Sequence, residues 1–498
     1  MKIAIPTIHY LAILPAILLL VSSIGLLFAT ALLGSKISTK VASAVTSLTG
    51  AAVLVVTFIQ WSHVAKHGAS TTIANAIVLD GFSVVATGII AIGLIMSTFV
   101  AHDWSIREKL TGAEFHMLAL ASTCGAVLMT QANDLVVIFL GLEILSIGLY
   151  VLVAYDRHRA KGQEAALKYF LLGGFASALF IYGAALVYGA TGTTNLSSIS
   201  YFLGSNILLH PGLLYAGGGL LLVGFAFKVA AVPFHLWSPD VYEGAPSPVT
   251  GFMASIVKVG AFAAFLRVMI SALGTQLDTW RPILWVLIAF SAVLGASVGL
   301  LQRNVKRMLA YSSINHTAFI LLGVWSGTIR GTAGALFYLM AYVPVVIGSF
   351  AVVSLVGGLG DENHDVSVYK GLGTVQYKGL ARRQPLLAGA FVILLLSQLG
   401  APGTTGFYAK FAVLEAAIEQ HGPIISLIAI VSAAIAAFFY LRWCLVMFSS
   451  DEASTSRVAV PRASAAVIFF AVAVTLVFGI WPGPLASLAQ HAGLLFTP

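Results

Sequence analysis

The chain has few charged residues and few cysteines. Charged side chains make up 9% of its 498 residues, against about 25% in soluble domains. Its 2 cysteines, Cys124 and Cys444, both lie within apolar segments, so we predict neither a disulfide framework nor a cysteine metal site. The sequence also lacks a Walker loop, a dinucleotide-binding fingerprint and a nucleophilic triad. Any redox cofactor connected with its activity is therefore expected in another chain.

Long apolar runs dominate the sequence, and hydrophobic residues account for 59% of it. A membrane-spanning helix needs about 20 apolar residues, and windows of that length recur from one end of the chain to the other. We predict an all-α polytopic membrane protein with about fourteen transmembrane helices. The predicted spans are 10–32, 40–60, 81–101, 114–132, 134–155, 165–190, 212–235, 248–271, 282–302, 307–326, 332–357, 385–420 with an interruption, 424–449 and 463–486.

The first predicted span is interpreted as a retained helix. Its apolar run is too long for the core of a signal peptide, and no small-residue cleavage site closes it. The other loops are short apart from 191–211 and 358–384, so no soluble domain is predicted. The chain is expected to be a single integral-membrane domain, 1–498. Its predicted parts are three N-terminal helices (1–112), a first repeat (113–271), a second repeat (280–450) and a C-terminal helix (463–486).

The 26 Lys and Arg residues predict the orientation. Sixteen follow odd-numbered predicted helices: Lys36, Lys40, Arg107, Lys109, Arg157, Arg159, Lys161, Arg303, Lys306, Arg307, Lys370, Lys378, Arg382, Arg383, Arg457 and Arg462. Four lie on the opposite side: Lys2, Lys66, Arg281 and Arg330. Because positive charge concentrates on the cytoplasmic side, both termini are predicted on the outer side of the membrane. The net charge of +8 reflects this topology rather than nucleic-acid binding.

Two apolar segments contain residues that break helices. Pro233 follows Lys228 in the seventh span, and Pro402-Gly403 precedes Lys410 in the twelfth. Proline removes a backbone donor and clashes with the preceding turn. The two segments lie five helices apart, which forces opposite directions through the membrane. This pattern predicts two inverted repeats, helices 4–8 and helices 9–13, with interrupted helices 7 and 12 marking the ion site.

Five ionisable side chains lie inside predicted spans: Glu143, Lys168, Lys228, Lys258 and Lys410. A charge at such depth is costly and is typical of an ion or proton pathway. His235 and His316 are candidate relay residues, because histidine exchanges protons near neutral pH.

Each of these residues also has a structural interpretation. Glu143 could belong to a fixed charge pair that locks two helices, and Lys168 is near enough to the cytoplasmic face to extend its ammonium into water. Lys228 and Lys258 could serve packing alone by donating to backbone carbonyls. Both histidines could be structural hydrogen-bonding groups.

The run from Phe227 to Thr250, which contains Lys228, Pro233 and His235, resembles a known family. It is similar to the antiporter-like membrane subunits of respiratory complex I and of multi-subunit cation/proton antiporters. Supporting motifs are Asn133-Asp134-Leu, Gly141-Leu-Glu143, the run Lys306–Ser313 and Gly400-Ala-Pro402. In this family, L-type subunits carry extra C-terminal helices and M-type subunits usually place a glutamate where Lys410 stands. The N-type branch therefore fits best, although Asn315 stands where the family often has serine.

The resemblance implies a proton-pumping subunit of NADH:quinone oxidoreductase that has no cofactor of its own. NADH, FMN, iron–sulfur clusters and quinone would lie in partner subunits, which include neighbouring antiporter-like subunits and peripheral ones. By position, Glu143 and Lys168 would form a gating ion pair, Lys228 and Lys258 a central relay, and Lys410 the link to the outward half-channel.

Three alternatives stay open at this stage. The chain could be a membrane subunit of a multi-subunit Na⁺/H⁺ antiporter or of a related proton-pumping oxidoreductase. It could also be a scaffold that bridges other subunits without transporting ions.

Overall fold

The structure is a computed structural model that describes residues 8–33, 37–110, 112–206, 208, 211–358, 377–449 and 457–494. Lys2, Lys36 and Lys370, which entered the topology prediction, lie outside these residues, as does most of the predicted loop 358–384.

The described residues form nineteen helices and one small antiparallel hairpin, of strands β1 (Ser70–Thr72) and β2 (Ile77–Leu79). The helices are α1 Tyr10–Leu33, α2 Thr39–His67, α3 Gly81–Arg107, α4 Glu114–Gln131, α5 Leu135–Val153, α6 Ala160–Thr191, α7 Leu196–Ser205, α8 Pro211–Lys228, α9 Trp237–Gly244, α10 Ser247–Ala272, α11 Leu277–Leu301, α12 Val305–Ser326, α13 Ile329–Gly357, α14 Leu380–Arg383, α15 Pro385–Leu399, α16 Thr405–Glu419, α17 Pro423–Phe448, α18 Arg462–Ile480 and α19 Gly483–Ala492.

Eleven of the described helices are long and apolar enough to cross a membrane: α1, α2, α3, α5, α6, α8, α10, α11, α13, α17 and α18. This confirms a multi-pass, all-helical membrane protein. The other predicted spans fall on α4, on α12 and on the pair α15 and α16. α12 is more polar because Ser312, Ser313, Asn315 and His316 follow one another closely within it, and α15 and α16 are each 15 residues long.

α10 and α13 lie at the centre of the bundle. In the most apolar 18-residue window of each, 94% of α10 and all of α13 is buried. α10 is not uniformly α-helical, since Met253–Val257 and Arg267–Ala272 form π-helical turns. Such turns often mark functional sites.

A buried ion pair between Asp80 and Arg267 joins α3, α4 and α10. Asp80 caps the N-terminus of α3, and its two carboxylate oxygens accept from the guanidinium of Arg267 at 2.9 and 2.7 Å. Arg267 also donates to the carbonyl oxygen of Thr130 at 2.8 Å. Removing one member of such a pair leaves a buried uncompensated charge, so this pair fixes α3, α4 and α10 together.

Two helices end inside the bundle. The seventh predicted span ran to residue 235, but α8 ends at Lys228, and Ala230 has a positive φ of 57°. The helix ends before Pro233 because proline lacks an N–H and restricts the residue that precedes it. The freed N–H of Val232 donates to the Ser291 hydroxyl at 2.8 Å. Further along the chain, α15 ends at Leu399, Gly400 adopts φ 88°, and α16 begins at Thr405.

Candidate functional site

Lys228 ends α8 deep within the protein. Its side chain is 4% exposed, and its ammonium donates to the hydroxyl oxygen of Ser146 at 2.6 Å and to that of Tyr169 at 3.4 Å. Glu143 stands one turn before Ser146 on α5 and interacts electrostatically with Lys228. The carboxylate oxygen Oε1 of Glu143 is buried and has no hydrogen-bond partner among the described residues. The first cluster therefore contains an acid, a hydroxyl and an ammonium group on facing helices.

The structure does not pair Lys168 with Glu143. The ammonium of Lys168 contacts Asp240 and Glu164, each at 2.8 Å, and its side chain is 43% exposed. Among the described residues, no basic group lies within 4.0 Å of the Glu143 carboxylate. The gating pair implied by the resemblance is thus open here. Lys168 contacts the helix α9, which lies in the short connection between α8 and α10, and does not contact Glu143 on α5.

Asp240 belongs to a cluster of charges that also contains Lys168, Arg307 and Glu243. Its carboxylate also accepts from Arg307 at 2.7 Å, and Arg307 donates to Glu243 at 2.9 Å. Burial by itself raises the pKa of Asp240, but the hydrogen bonds from Lys168 and Arg307 outweigh it and hold this pKa below its ordinary value. Asp240 and Glu243 both lie in the run Phe227–Thr250, so the motif pointed to this cluster without showing its partners.

Lys258 lies directly after the first π-helical turn of α10 and is 3% exposed. Its ammonium donates to the carbonyl oxygen of Ser313 at 2.5 Å and to the hydroxyl of Thr317 at 2.9 Å, both on α12. The Thr317 hydroxyl in turn donates to the carbonyl oxygen of Val229 at 2.7 Å. Since Val229 follows Lys228, Thr317 connects the Lys258 ammonium to the backbone beside Lys228 through one hydroxyl group.

His316 sits on the same helix, between two tyrosines. Its Nδ1 lies 2.6 Å from the hydroxyl of Tyr338, and its Nε2 lies 3.3 Å from the hydroxyl of Tyr440. Tyr440 also hydrogen-bonds the Ser312 hydroxyl, and the ring of Tyr342 lies 5.0 Å from the His316 ring. These neighbours are neutral groups that can both donate and accept, so His316 lies within a chain of exchangeable protons.

Lys410 is held at the break between α15 and α16. It is 7% exposed, donates to the carbonyl oxygen of Leu399 at 2.7 Å, and lies 4.8 Å from the centre of the Phe319 ring. Gly400 makes this position possible, because a Cβ there would lie 2.9 Å from Cδ of Lys410. Lys410 also interacts electrostatically with His316, as does Lys258.

His235 lies apart from this row. It is half-buried in the connection between α8 and α9, and its ring centre is 6.5 Å from that of Tyr311. Its Nδ1 is buried without a hydrogen-bond partner in the part of the chain that the structure describes. The structure therefore places His235 beside α12, but does not join it to Lys228 or Lys258.

Sequence reasoning missed two further contributors. Lys306 was counted as a loop residue, but it is fully buried at the start of α12, where its ammonium donates to the carbonyl oxygen of Ala245 at 2.5 Å. Thr317 was not singled out, because a hydroxyl within a helix gives no signal by itself. Its position at i+4 from Ser313, across from Lys258, is visible only once the helices are packed.

Taken together, four buried basic side chains and one partly buried acid lie within the helical bundle: Lys228, Lys258, His316, Lys410 and Glu143. Hydroxyl groups of serine, threonine and tyrosine lie between them. In the described ranges, no group of three or more His, Cys, Asp or Glu side chains could hold a metal ion. Buried ionisable groups within a multi-pass helical bundle are typical of ion-translocating membrane subunits of the antiporter-like class.

Comparison with known proteins agrees with this class. The chain belongs to the family described as NADH:quinone oxidoreductase/Mrp antiporter, whose profile matches residues 132–436. Subunit N of NADH-quinone oxidoreductase from Trichlorobacter lovleyi is 36% identical over 98% of this chain and 97% of its own. Subunit N from Mycobacterium tuberculosis is 43% identical over 78% of this chain and 73% of its own. The resemblance to N-type subunits of NADH:quinone oxidoreductase is therefore confirmed.

Solved structures share the fold. A chain of respiratory complex I from Thermus thermophilus has a TM-score of 0.79 and 32% identity, covering 96% of this chain and 99% of its own. A chain of the Mrp complex from a Dietzia species has a TM-score of 0.82 at 20% identity, which shows the shared fold alone.

Proposed function

We propose that this chain translocates protons along the row Glu143, Lys228, Lys258, His316 and Lys410, with quinone reduction in partner subunits as the driving reaction. The observation that carries the proposal is the burial of four basic side chains within the helical bundle, each held by hydroxyl groups or a carbonyl: Lys228, Lys258, His316 and Lys410. At the centre of the row, one hydroxyl connects the Lys258 ammonium to the backbone beside Lys228, and water would carry the proton across the remaining gap, because a carbonyl only accepts. The Lys258 ammonium donates to the Thr317 hydroxyl, which donates to the carbonyl oxygen of the residue next to Lys228. Buried charges joined in this way have no counterpart in a scaffold, which gains nothing from their desolvation.

The chemistry of each group suits proton transfer. Lys228 donates to two hydroxyls, Ser146 and Tyr169, and a hydroxyl can accept one proton while releasing another. His316 has hydroxyl groups at both ring nitrogens, so it can take a proton on one side and release it on the other. Water would complete the spaces between clusters.

Lys168 provides a means of switching the row. In this structure it is held by Asp240 and Glu164, which leaves Glu143 without a contacting cation among the described residues and able to support the ammonium group of Lys228 by charge attraction. If Lys168 moved to Glu143, that support would be neutralised and Lys228 would release its proton. Moving one charge across the membrane potential costs about 2.3 kcal/mol per 100 mV, which a change in one close charge pair can supply.

The topology belongs to the same proposal. We infer fourteen spans, with α4, α12 and the pair α15 and α16 added to the eleven long apolar helices, and both termini on the periplasmic side. Counted as spans along the chain, and not by the α labels, spans 4–8 and 9–13 form inverted repeats within one domain, 1–498. The end of α8 at Lys228 is the break in the seventh span, and the end of α15 at Leu399 is the corresponding break in the twelfth.

The proposed partners are the other subunits of a complex I in the inner membrane, including neighbouring antiporter-like subunits. NADH, FMN, iron–sulfur clusters and quinone are assigned to those partners, and this chain is proposed to hold no cofactor. The relative from Thermus thermophilus comes from a respiratory complex I structure, which supports this assignment.

The test is Lys258→Met in the intact complex, reconstituted in liposomes in sodium-free buffer. Proton uptake, measured with a pH-sensitive dye, is expected to fall by about a hundredfold, the scale of losing one proton-transfer group. The matched control is Lys66→Met, which removes an exposed lysine at the end of α2. Lys258→Arg keeps the charge but cannot release its proton, so it is expected to assemble and fail to pump. Normal pumping by assembled Lys258→Met complexes would refute the proposal.

A further inference from the structure

A basic cavity opens at the end of the bundle where α3 and α13 finish and α18 begins. Its volume is about 400 Å³, and its lining includes Arg107, Arg383 and Arg457. All of these helix ends lie on the side predicted to be cytoplasmic. None of the cavity-lining residues belongs to the proton row, and the proposed mechanism does not use them.

The guanidinium of Arg107 lies in the wall of this cavity and is held by two hydrogen bonds. Its Nε donates to Glu108 at 2.9 Å, and its Nη1 donates to the carbonyl oxygen of Ser354 at 2.6 Å. Its Nη2 is buried and has no hydrogen-bond partner among the described residues. A buried donor without an acceptor is costly, so a small rotation of the guanidinium toward an anion in the cavity would be stabilising.

The acidic residue in the cavity wall is already engaged. Asp103 accepts from both the backbone N–H and the hydroxyl of Ser464, each at 2.7 Å, at the N-terminus of α18. Glu108 is held by Arg107. Among the described residues, three arginines and one aspartate line the cavity, and this balance favours an anionic ligand.

An apolar groove begins where the basic cavity ends. The cavity is lined by Arg383, Pro461 and Ser464, and the groove by their sequence neighbours Gln384, Val460 and Ala465. The groove runs between α15 and α18, over Ala390, Ile393, Ile468, Phe469 and Val472, and has a volume of about 730 Å³. Leu386 at its mouth is 89% exposed. From Leu386 to Ile393 the groove follows α15 for about 10 Å.

We propose that this site binds one anionic phospholipid, with its phosphate in the basic cavity and an acyl chain in the apolar groove. A free phosphate would use only the cavity, and a neutral lipid would use only the groove. The adjacency of the two features matches the headgroup and tail of a single molecule. Basic pockets between membrane helices on the cytoplasmic side are suited to such headgroups.

The experiment uses the purified intact complex, supplied with photoactivatable phosphatidylglycerol or phosphatidylcholine that carries the reactive group on its acyl chain. Labelled peptides are identified by mass spectrometry. Phosphatidylglycerol is expected to label the α15 and α18 segments that line the groove. Phosphatidylcholine is expected to label them several-fold less, since each Lys or Arg near a headgroup contributes about a fivefold preference for negative charge.

Variants separate the two parts of the site. Arg457→Gln and the double variant with Arg107→Gln are expected to lower labelling by about fivefold per arginine removed. Arg457→Gln alone keeps the test valid if loss of Arg107 prevents assembly, because Arg457 is exposed. Arg303→Gln, an exposed arginine outside the cavity, is the matched control. Gly389→Trp fills the groove, where nothing lies within 4 Å of a Cβ, and is expected to block labelling with every arginine intact.

Four results would overturn the proposal. One is equal labelling by both lipids, and another is labelling that the arginine variants leave unchanged. The third is cross-linking of the groove to a neighbouring subunit, which would show that protein covers it. Full competition by glycerol 1-phosphate together with no effect of Gly389→Trp would assign the cavity to a free anion and also refute the lipid.

Discussion

Two buried lysines stand at two helix ends, and their surroundings differ. Lys228 is the last residue of α8, whereas Lys410 lies in α16 and reaches back to the end of α15 at Leu399. Both are nearly inaccessible. Lys228 donates to the hydroxyls of Ser146 and Tyr169 and has Glu143 nearby, while Lys410 donates to a carbonyl and rests over the Phe319 ring.

The difference lies in what each partner can do with a proton. A hydroxyl both accepts and donates, whereas a backbone carbonyl only accepts. The Lys228 cluster is therefore suited to passing protons onward within the protein, under the influence of an acid. The Lys410 cluster is suited to holding an ammonium group until it exchanges with water. The following predictions test whether the two lysines serve these unequal roles, beginning with the largest expected effect.

Lys228→Met is expected to lower proton pumping by about a hundredfold or more, because it removes a transfer group from the middle of the row. The rate of proton uptake into liposomes is the measurement, with NADH oxidation followed in parallel. Lys410→Met is expected to lose pumping to a similar degree. If Lys410→Met pumps normally while Lys228→Met does not, the second cluster is not part of the pathway.

Glu143→Gln is expected to lower pumping by about tenfold, the effect of changing one proton equilibrium by a single pKa unit. Glutamine keeps the size of the side chain but removes the charge that acts on Lys228. Glu415→Gln, which alters a partly exposed acid paired with Arg330, is the control. An unchanged pumping rate in Glu143→Gln would show that Glu143 does not regulate Lys228. The proposed difference between the Lys228 and Lys410 clusters, an acid beside only the first, would then have no functional effect.

Gly400→Ala is expected to destabilise the Lys410 cluster by about 1–2 kcal/mol, the cost of a left-handed conformation for a residue with a side chain. Gly400 has φ 88°, and its new Cβ would also press on Lys410. The measurement is the thermal unfolding midpoint of the complex. Gly389→Ala on α15 has open space around it and should leave the midpoint unchanged or slightly raised. A neutral Gly400→Ala would mean that Lys410 is not held at the break.

Asp240→Asn tests the outer cluster, where the smallest effect is expected. Because the pKa of Asp240 is lowered in the folded protein, its contribution to stability is present above its ordinary pKa and is lost as the pH falls through the lowered value. The side chain is 36% exposed, so the effect lies within about 0–1 kcal/mol. Unfolding midpoints at pH 7 and at pH 2 should differ less in Asp240→Asn than in the unchanged protein, because only the lower pH lies below the ordinary pKa of the carboxyl group. An identical difference in both would exclude this charge as a source of the pH dependence.

The sequence was sufficient for the membrane class and for the family, because both depend on local features. Apolar length identifies a spanning helix without knowledge of its neighbours, and the run Phe227–Thr250 is distinctive in itself. The same is true of Lys258, since a lysine surrounded by apolar residues on both sides must be buried. Its roles and those of the other site residues stay predictions.

Partners were harder to predict than positions. Lys168 was expected opposite Glu143, but it contacts Asp240, which lies 72 residues away in the chain. Lys306 looked like a loop residue because it follows Arg303, yet helix packing buries it against Ala245. Which of several nearby acids a flexible lysine selects depends on side-chain geometry, and a single sequence carries no signal for it.

The π-helical turn at Met253–Val257 changes the direction in which the following side chains of α10 project. A π-helical turn accommodates about one more residue than an α-helical turn, and one residue corresponds to roughly 100° of rotation around a helix. If this stretch were α-helical, Lys258 would face away from Ser313 and Thr317 on α12. The extra residue rotates the segment after the turn relative to the segment before it. Each segment can therefore present a different face to its own neighbouring helices. A lineage that deleted one residue here would need a second change to bring its lysine back to the same side.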